Sequence, residues 1–261
     1  MKRRTFMKVA GASLAAVLLS PSDNPLNNSE QPNVSAVEKQ NVCNESVEKI
    51  VGPYGTVVYK TEGMPHKKTV IAMKMIHQSG SFPQFRDDID ALHDELFMVG
   101  KNLVEAGLDY LGGEGFDPGE VTKQQLHNRG FGQARYAFIM IENHFNEDVY
   151  SFGYDNTRLL KEVYALLKRD KALEALRLNM ERSRFMADAV RRKMNVINRS
   201  CVGIIAGGDH LEKEGQKEIR SFVDPVNFIT LFEEKDVNVI VVEPRSYQEI
   251  SSKIESLSTK R

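Results

Sequence analysis

From residue 51 onward, short apolar segments alternate with longer amphipathic ones, and this alternation limits the folds open to the chain. The apolar segments are strand candidates at 56–59, 70–76, 108–113, 149–152, 202–206 and 237–242. The amphipathic segments are helix candidates at 87–106, 135–145, 157–169, 171–197, 211–220, 225–234 and 247–257. Strands separated by helices return to one sheet as parallel neighbours through right-handed crossovers. The order therefore predicts an α/β fold: a single three-layer domain with a mainly parallel central sheet and helices on both faces.

Hydrophobic spacing supports the assignment of individual elements. In 87–106 the apolar residues recur at helical spacing on one face, and Gly107 follows as a C-terminal cap would. The segments 202–206 and 237–242 are almost continuously apolar, which is typical of strands buried on both faces. We expect the following methionines to fill the core: Met73, Met75, Met180, Met186 and Met194.

The N-terminus resembles a twin-arginine export leader. Arg3 and Arg4 lie between Lys2 and Lys8, and the uncharged segment 9–19 follows directly. An apolar run of about 11 residues is too short to cross a bilayer as a stable anchor. Residues 1–22 are thus predicted to be a signal peptide read by the twin-arginine translocase. The protein is expected to be exported to the periplasm or another extracytoplasmic space, and to touch the membrane only through an uncleaved leader.

The segment after the leader is predicted to be a flexible polar linker, residues 23–50. Asn, Ser, Pro, Glu and Gln dominate it, so it buries too little apolar surface to offset the entropy of ordering. The folded domain is assigned to 51–261. The whole chain has a net charge of −1, and the leader contributes only basic charges, so the remainder is acidic and we expect no nucleic-acid partner.

The two cysteines leave two interpretations open. An exported location would permit a disulfide between Cys43 and Cys201. Because Cys201 begins an apolar run, we instead favour a small buried hydrophobic residue there.

Polar side chains follow four of the predicted strands, at or near the point where each strand ends. They are His77 after 70–76, Glu114 after 108–113, Asp155 after 149–152, and Asp209 with His210 after 202–206. In an open parallel sheet, ligands bind beyond the carboxyl ends of the strands. Imidazoles and carboxylates are the groups that a divalent metal or a general acid–base pair requires. The sequence therefore predicts a site at this edge.

Several of these residues also have an ordinary structural role open to them. A histidine after a strand often serves as a cap or a packing residue. Asp155 is interpreted as the N-cap of the helix that starts near Thr157, and Asp209 could cap the segment behind it. Glu114 lies between two glycines, which would let a ligand approach closely, and we favour a functional role for it.

The helix 171–197 carries two arginines with alternative interpretations. Arg182 and Arg184 either belong to a solvated charged face, or one of them reaches over the strand ends to orient a carboxylate or hold an anionic substrate. The remaining histidines are predicted to be solvated, in loops or on polar helix faces: His66, His93, His127 and His144.

The order of these motifs resembles one superfamily over roughly residues 68–244. The motifs are an apolar strand ending in His77, the segment Gly113-Glu114-Gly115-Phe116, the helical segment 181–187, and the segment 204–211 with Gly207-Gly208-Asp209-His210. They are similar to those of the superfamily that joins the TraB/PrgY pheromone-shutdown proteins, the TIKI metalloproteases, the ChaN-type haem-binding lipoproteins and the erythromycin esterases.

The resemblance implies functional roles for His77, Glu114, Arg182 and His210. Members of this superfamily usually begin with Gly-Glu-x-His, but here Met75 stands in the place of the glutamate. The Arg-Asn pair that relatives often show is replaced by Arg182-Ser183. Asp155 replaces a glutamate at the end of another strand, which is a milder change.

Together these features favour an exported hydrolase-like protein acting on a small-molecule or peptide substrate. In that hypothesis His77, Glu114 and His210 hold a divalent metal, zinc or manganese, or act on a water, and Arg182 steers the substrate. The alternative is a non-catalytic protein of the same fold that binds haem or a peptide, or serves as an interaction partner. The missing glutamate fits this alternative, and the sequence leaves open whether the protein is an enzyme.

Overall fold

The computed structural model describes residues 46–61, 67–76, 83–122, 125, 141, 144–145, 149–211 and 227–259. The predicted signal peptide 1–22 lies outside these ranges, and so does the predicted linker up to residue 45. Most of the helix candidates 135–145 and 211–220 also lies outside them.

Within the described residues, the strands form one sheet with the order β1-β7-β2-β6-β3-β5-β4. The strands are β1 Gly55–Lys60, β2 Thr69–Met75, β3 Tyr110–Gly113, β4 Gly119–Glu120, β5 Tyr150–Gly153, β6 Cys201–Gly207 and β7 Asn238–Pro244. The central strands β7, β2, β6, β3 and β5 run parallel to one another. The edge strands β1 and β4 are antiparallel to their neighbours, so the sheet is mixed. The predicted, mainly parallel α/β fold is confirmed.

Helices cover both faces of this sheet. The described helices are α1 Val47–Val51, α2 Arg86–Glu105, α3 Thr157–Lys168, α4 Ala172–Ile197, α5 Phe228–Glu233 and α6 Tyr247–Thr259. The α1 helix begins within the last residues of the predicted linker 23–50 and ends at Val51, the first residue of the predicted domain. Its Val47 and Val51 are buried in the core, so ordering this short segment is compensated by apolar burial.

The alternation of side chains along the strands divides the core into two halves. On β2, Ile71, Met73 and Met75 contact the cluster that includes α1 and α2, whereas Val70 and Ala72 contact the cluster that includes α4 and α5. This is the arrangement of a three-layer domain. The methionines expected in the core are all buried: Met73, Met75, Met180, Met186 and Met194.

Helix α2 shows how local sequence fixes an element. Its predicted apolar face is buried, at Ile89, Leu92, Leu96, Val99 and Leu103. The helix ends at Glu105, and Gly107 then adopts a φ of 104°, in the left-handed region that glycine tolerates. Among the described residues, no helix is both long and apolar enough to cross a membrane.

Cys201 forms a disulfide, which differs from the interpretation favoured from the sequence. It is buried but disulfide-bonded, and the other cysteine of the chain, Cys43, lies outside the described residues. The interpretation of Cys201 as a free hydrophobic residue is therefore wrong. Cys201 is the first residue of β6, at the amino-terminal edge of the sheet.

Candidate functional site

The parallel direction of the central strands brings their carboxyl ends to one edge of the sheet. Glu114 follows β3 directly, Asp155 follows β5 closely, and His210 follows β6 in the short 3-10 helix Gly208–His210. Arg182 reaches this edge from α4. The structure brings these four side chains together in one hydrogen-bonded network, and we call Glu114, Asp155, Arg182 and His210 the rim network.

Arg182 is the centre of the rim network. Its side chain is 1% exposed, although it is the largest of the fully buried side chains. The guanidinium donates to Asp155 through Nε at 2.7 Å and Nη2 at 2.5 Å, and to Glu114 Oε1 through Nη2 at 2.8 Å. Nη1 donates to Asn179 Oδ1 at 3.2 Å. Arg184, the other arginine considered on α4, is exposed.

Asp155 is a partner of Arg182 and not the cap of a helix. Asn156 occupies the N-cap position of α3, and its side chain accepts from the backbone N–H of Leu159. Asp155 is fully buried and also accepts backbone hydrogen bonds from Gly115 at 2.8 Å and from Asn156 at 2.6 Å. The N-cap interpretation is wrong by one residue, because both Asp and Asn satisfy the capping pattern in the sequence.

Glu114 is held at the point where β3 turns away from the sheet. Gly115 has a φ of 86° and points its N–H at Asp155, so this glycine serves the turn. Both oxygens of Glu114 are engaged: Oε1 with Arg182, and Oε2 with the backbone N–H of Gly207 at 2.6 Å. The carboxylate therefore joins the end of β3 to the end of β6.

His210 completes the rim network. Its Nε2 lies 3.4 Å from Glu114 Oε1 and 3.3 Å from Arg182 Nη1. Its Nδ1 lies 2.9 Å from Ser183 Oγ, and the ring stacks on Phe228 with centroids 5.0 Å apart. The imidazole is thus fixed in the ring plane by hydrogen bonds and across its face by an aromatic ring.

The contacts of Ser183 indicate which nitrogen of His210 carries the proton. Ser183 Oγ has one hydrogen, which it donates to the carbonyl of Asn179 at 2.9 Å, so it is an acceptor for Nδ1–H. The lone pair of Nε2 then accepts from Arg182.

Burial and neighbouring charges act in opposite directions on Arg182. Burial alone would lower the pKa of this guanidinium, but Asp155 and Glu114 raise it further above its ordinary value. Tyr154 lies under the rim network, fully buried, and donates to the carbonyl of Ile205 at 2.7 Å. Burial, followed by the charges of Glu114 and Asp155, raises the pKa of Tyr154 well above its ordinary value.

The rim network does not fit the predicted metal site. Among the described residues, no group of three or more His, Cys, Asp or Glu side chains is arranged to hold a metal ion. The physical reason is Arg182, which already bonds Glu114 Oε1 and lies beside His210 Nε2. A divalent cation on the same two atoms would lie next to a permanently charged guanidinium. The third predicted ligand, His77, lies outside the described residues.

Haem ligation through His210 does not fit either. An iron ligand needs a ring nitrogen whose lone pair faces open space, and both nitrogens of His210 have protein partners. The imidazole is also only 6% exposed and is covered by Phe228. His210 therefore has no free nitrogen for a haem iron, and His77, the other candidate, lies outside the described residues.

Other histidines and the position of the missing glutamate can also be placed. His144 is exposed, as predicted, but His93 is fully buried on α2 and its Nε2 donates to the carbonyl of Ile76 at 3.0 Å. The helical spacing of His93 with Ile89 and Leu96 could have revealed this burial. Met75 is packed in the core, on the side of α2. His66 and His127 lie outside the described residues, as does the side chain of Asp209.

Comparison with known proteins gives no match: no family model, no curated protein and no solved structure is similar to this chain at a significant level. The resemblance to the superfamily of TraB/PrgY and related proteins therefore stays a prediction. What can be said of function depends on the site itself.

Proposed function

We propose that this chain is an exported hydrolase-like protein that acts on a small-molecule or peptide substrate without a metal bound by Glu114 and His210. The observation that carries the proposal is the contact between His210 Nε2 and Glu114 Oε1, at 3.4 Å. An imidazole with one anchored nitrogen beside a carboxylate is an arrangement that general acid–base catalysis uses, and in this proposal Nε2 acts once a substrate proton replaces its contact with Arg182. Here Ser183 is the anchor.

The surroundings of the pair support a proton-transfer role. Arg182 supplies a hydrogen bond to each member, and the three side chains are at most 6% exposed, so their geometry is fixed before any substrate arrives. The role assigned to Arg182 changes accordingly: it organises Glu114 and His210, and it does not hold an anionic substrate.

The location of the protein is part of the proposal. Export is supported by the twin-arginine pattern at Arg3 and Arg4 and by the disulfide of Cys201, because structural disulfides persist in oxidising compartments. The full chain, produced in a bacterium with a twin-arginine translocase, should be found outside the cytoplasm. The variant Arg3→Lys/Arg4→Lys should stay inside, and equal export of both forms would contradict the proposal.

The catalytic part is tested on purified protein with a panel of chromogenic esters, anilides and phosphate esters. For any compound that is hydrolysed, Glu114→Gln and His210→Gln should lower kcat by about 100-fold or more. The matched control is Arg158→Gln, whose side chain is 82% exposed on α3, and it should be silent. A chelator should leave the rate unchanged, and loss of activity that zinc restores would contradict the metal-free proposal.

Ligand binding without catalysis is a second candidate. It is favoured by the engagement of both oxygens of Glu114 and both ring nitrogens of His210, since a reacting group must compete with these partners. In this case no compound of the panel is turned over, and members of it raise the melting temperature instead. That stabilisation should depend on Glu114.

A further inference from the structure

A second group of charged and aromatic side chains lies at the same edge of the sheet, on the opposite side of β6. Lys74 near the end of β2 donates to Glu243 of β7 at 2.5 Å, and these two side chains are only 5% and 6% exposed. Lys74 Nζ lies 4.4 Å from the centroid of the Tyr247 ring. Gln248 donates to both oxygens of Glu243, at 3.0 and 2.8 Å. We call Lys74, Glu243, Tyr247 and Gln248 the β7 clamp.

A buried pair of this kind is expensive to form, because both charges lose water and the attraction only offsets that loss. Neither the superfamily resemblance nor the rim network explains why Lys74 and Glu243 are buried at this position. Their neighbours on β6 give the explanation. Lys74 is paired with Ala206 in the sheet, and the next residue, Gly207, donates its N–H to Glu114.

Gly208 is the point where the β7 clamp contacts the turn that carries His210. A Cβ added to Gly208 would lie 1.7 Å from Tyr247 Oη, 2.9 Å from Tyr247 Cζ and 3.6 Å from Lys74 Cε. The Tyr247 hydroxyl therefore fills the space where any other residue would place its side chain. The carbonyl of Gly208 accepts from Leu211 and closes the short helix that presents His210.

We propose that the β7 clamp is a positioning device for the rim network. The Tyr247 ring contacts Lys74 and packs against Gly208. This packing fixes the Gly207 N–H that donates to Glu114, and it also fixes the start of the short helix that carries His210. Lys74 contacts this ring, Glu243 holds Lys74 through their ion pair, and Gln248 donates to Glu243. The importance of this positioning for chemistry rests on the proposed function, but the positioning itself does not.

The test uses the side-chain nitrogens of His210, because a merely structural role elsewhere would not move them. In nitrogen-15 NMR of the full chain, the His210 signals are assigned by their loss in His210→Gln. In the wild type we expect a protonated Nδ1 and a hydrogen-bonded, unprotonated Nε2. Gly208→Ala should shift these signals, because its new methyl group collides with Tyr247.

Rescue by a second substitution separates positioning from general damage. Tyr247→Phe removes the hydroxyl that the methyl group meets first, but Cζ still lies 2.9 Å away, so Gly208→Ala/Tyr247→Phe should bring the His210 signals part of the way back. Lys74→Met, which keeps the length of the chain but loses the charge, should shift the same signals while the amide spectrum of β3 and β5 stays in place.

Two results would overturn the inference. One is a Gly208→Ala protein whose His210 signals match the wild type. The other is a Lys74→Met protein that is less stable but has unchanged His210 signals, since the clamp would then stabilise the fold without positioning the histidine. Neither result depends on a hydrolytic assay, so failure of the proposed function is recognised separately.

Discussion

Replacing Arg182 by methionine tests the central physical claim about the rim network. Methionine fills much of the same volume but removes the guanidinium that pairs with Asp155, which is 0% exposed, and with Glu114, whose side chain is 4% exposed. Losing one partner of a buried ion pair costs about 3–5 kcal/mol, because the remaining charge stays buried without compensation. Here two carboxylates lose their ion pair with the same guanidinium. We therefore expect a loss at the upper end of that range, about 5 kcal/mol.

The loss is measured by urea denaturation followed by circular dichroism at neutral pH. A total stability of about 5–15 kcal/mol is usual for a domain, so Arg182→Met should be marginally folded or unfolded. Arg182→Lys keeps the charge but loses the bidentate contact with Asp155, so its stability should lie between those of the wild type and Arg182→Met. The control Arg158→Met breaks the exposed pair with Glu162 and should cost less than about 0.5 kcal/mol. If Arg182→Met unfolds within about 1 kcal/mol of the wild type, the claim that this guanidinium compensates buried charge is refuted.

Three further predictions concern other parts of the structure. Tyr154 has a folded-state pKa well above the ordinary 10.0, so the stability that it contributes is complete below pH 10 and should be lost progressively as the pH rises above 10. Tyr154→Phe should lose about 1 kcal/mol at neutral pH with the hydrogen bond to Ile205, and denaturation at several alkaline pH values should show a flatter decline; an equal slope in both proteins would contradict the assignment. Lys74→Met or Glu243→Gln alone should cost about 3–5 kcal/mol, and the double variant clearly less than the sum, as thermal unfolding can measure; strict additivity would argue against a coupled pair. The protein unfolded without reductant should show no reactive thiol, and reduction should lower its stability by about 2–5 kcal/mol, whereas two free thiols would show that Cys201 is unpaired.

The general architecture could be predicted because it depends on patterns that a single segment contains. The apolar spacing of α2 and the continuous apolar runs of β6 and β7 each identify an element without knowledge of its neighbours. The parallel direction of the central strands then follows from the helices between them. The two-residue strand β4 and the short helix α1 were not predicted, because so few residues carry no periodicity.

Partnerships across the chain were harder to predict than elements. Glu114, Arg182 and His210 were identified as candidates from their positions, but which atoms meet depends on the rotation of α4 and on side chains far apart in sequence. Asp155 was assigned to the wrong partner for this reason. Lys74 and Glu243 were overlooked because each is a single charge within an apolar strand, and only the pairing of β2 with β7 makes them neighbours.

The way Arg182 is shared has a consequence for how this sequence can change. The apolar residues of α4 face a core where one aliphatic side chain can replace another at small cost. Arg182, Asp155 and Glu114 have no such freedom, since any one of them left behind is a stranded charge. In a set of natural variants we expect these three positions either to be retained as a unit or to become uncharged as a unit, and the segments around them to drift independently.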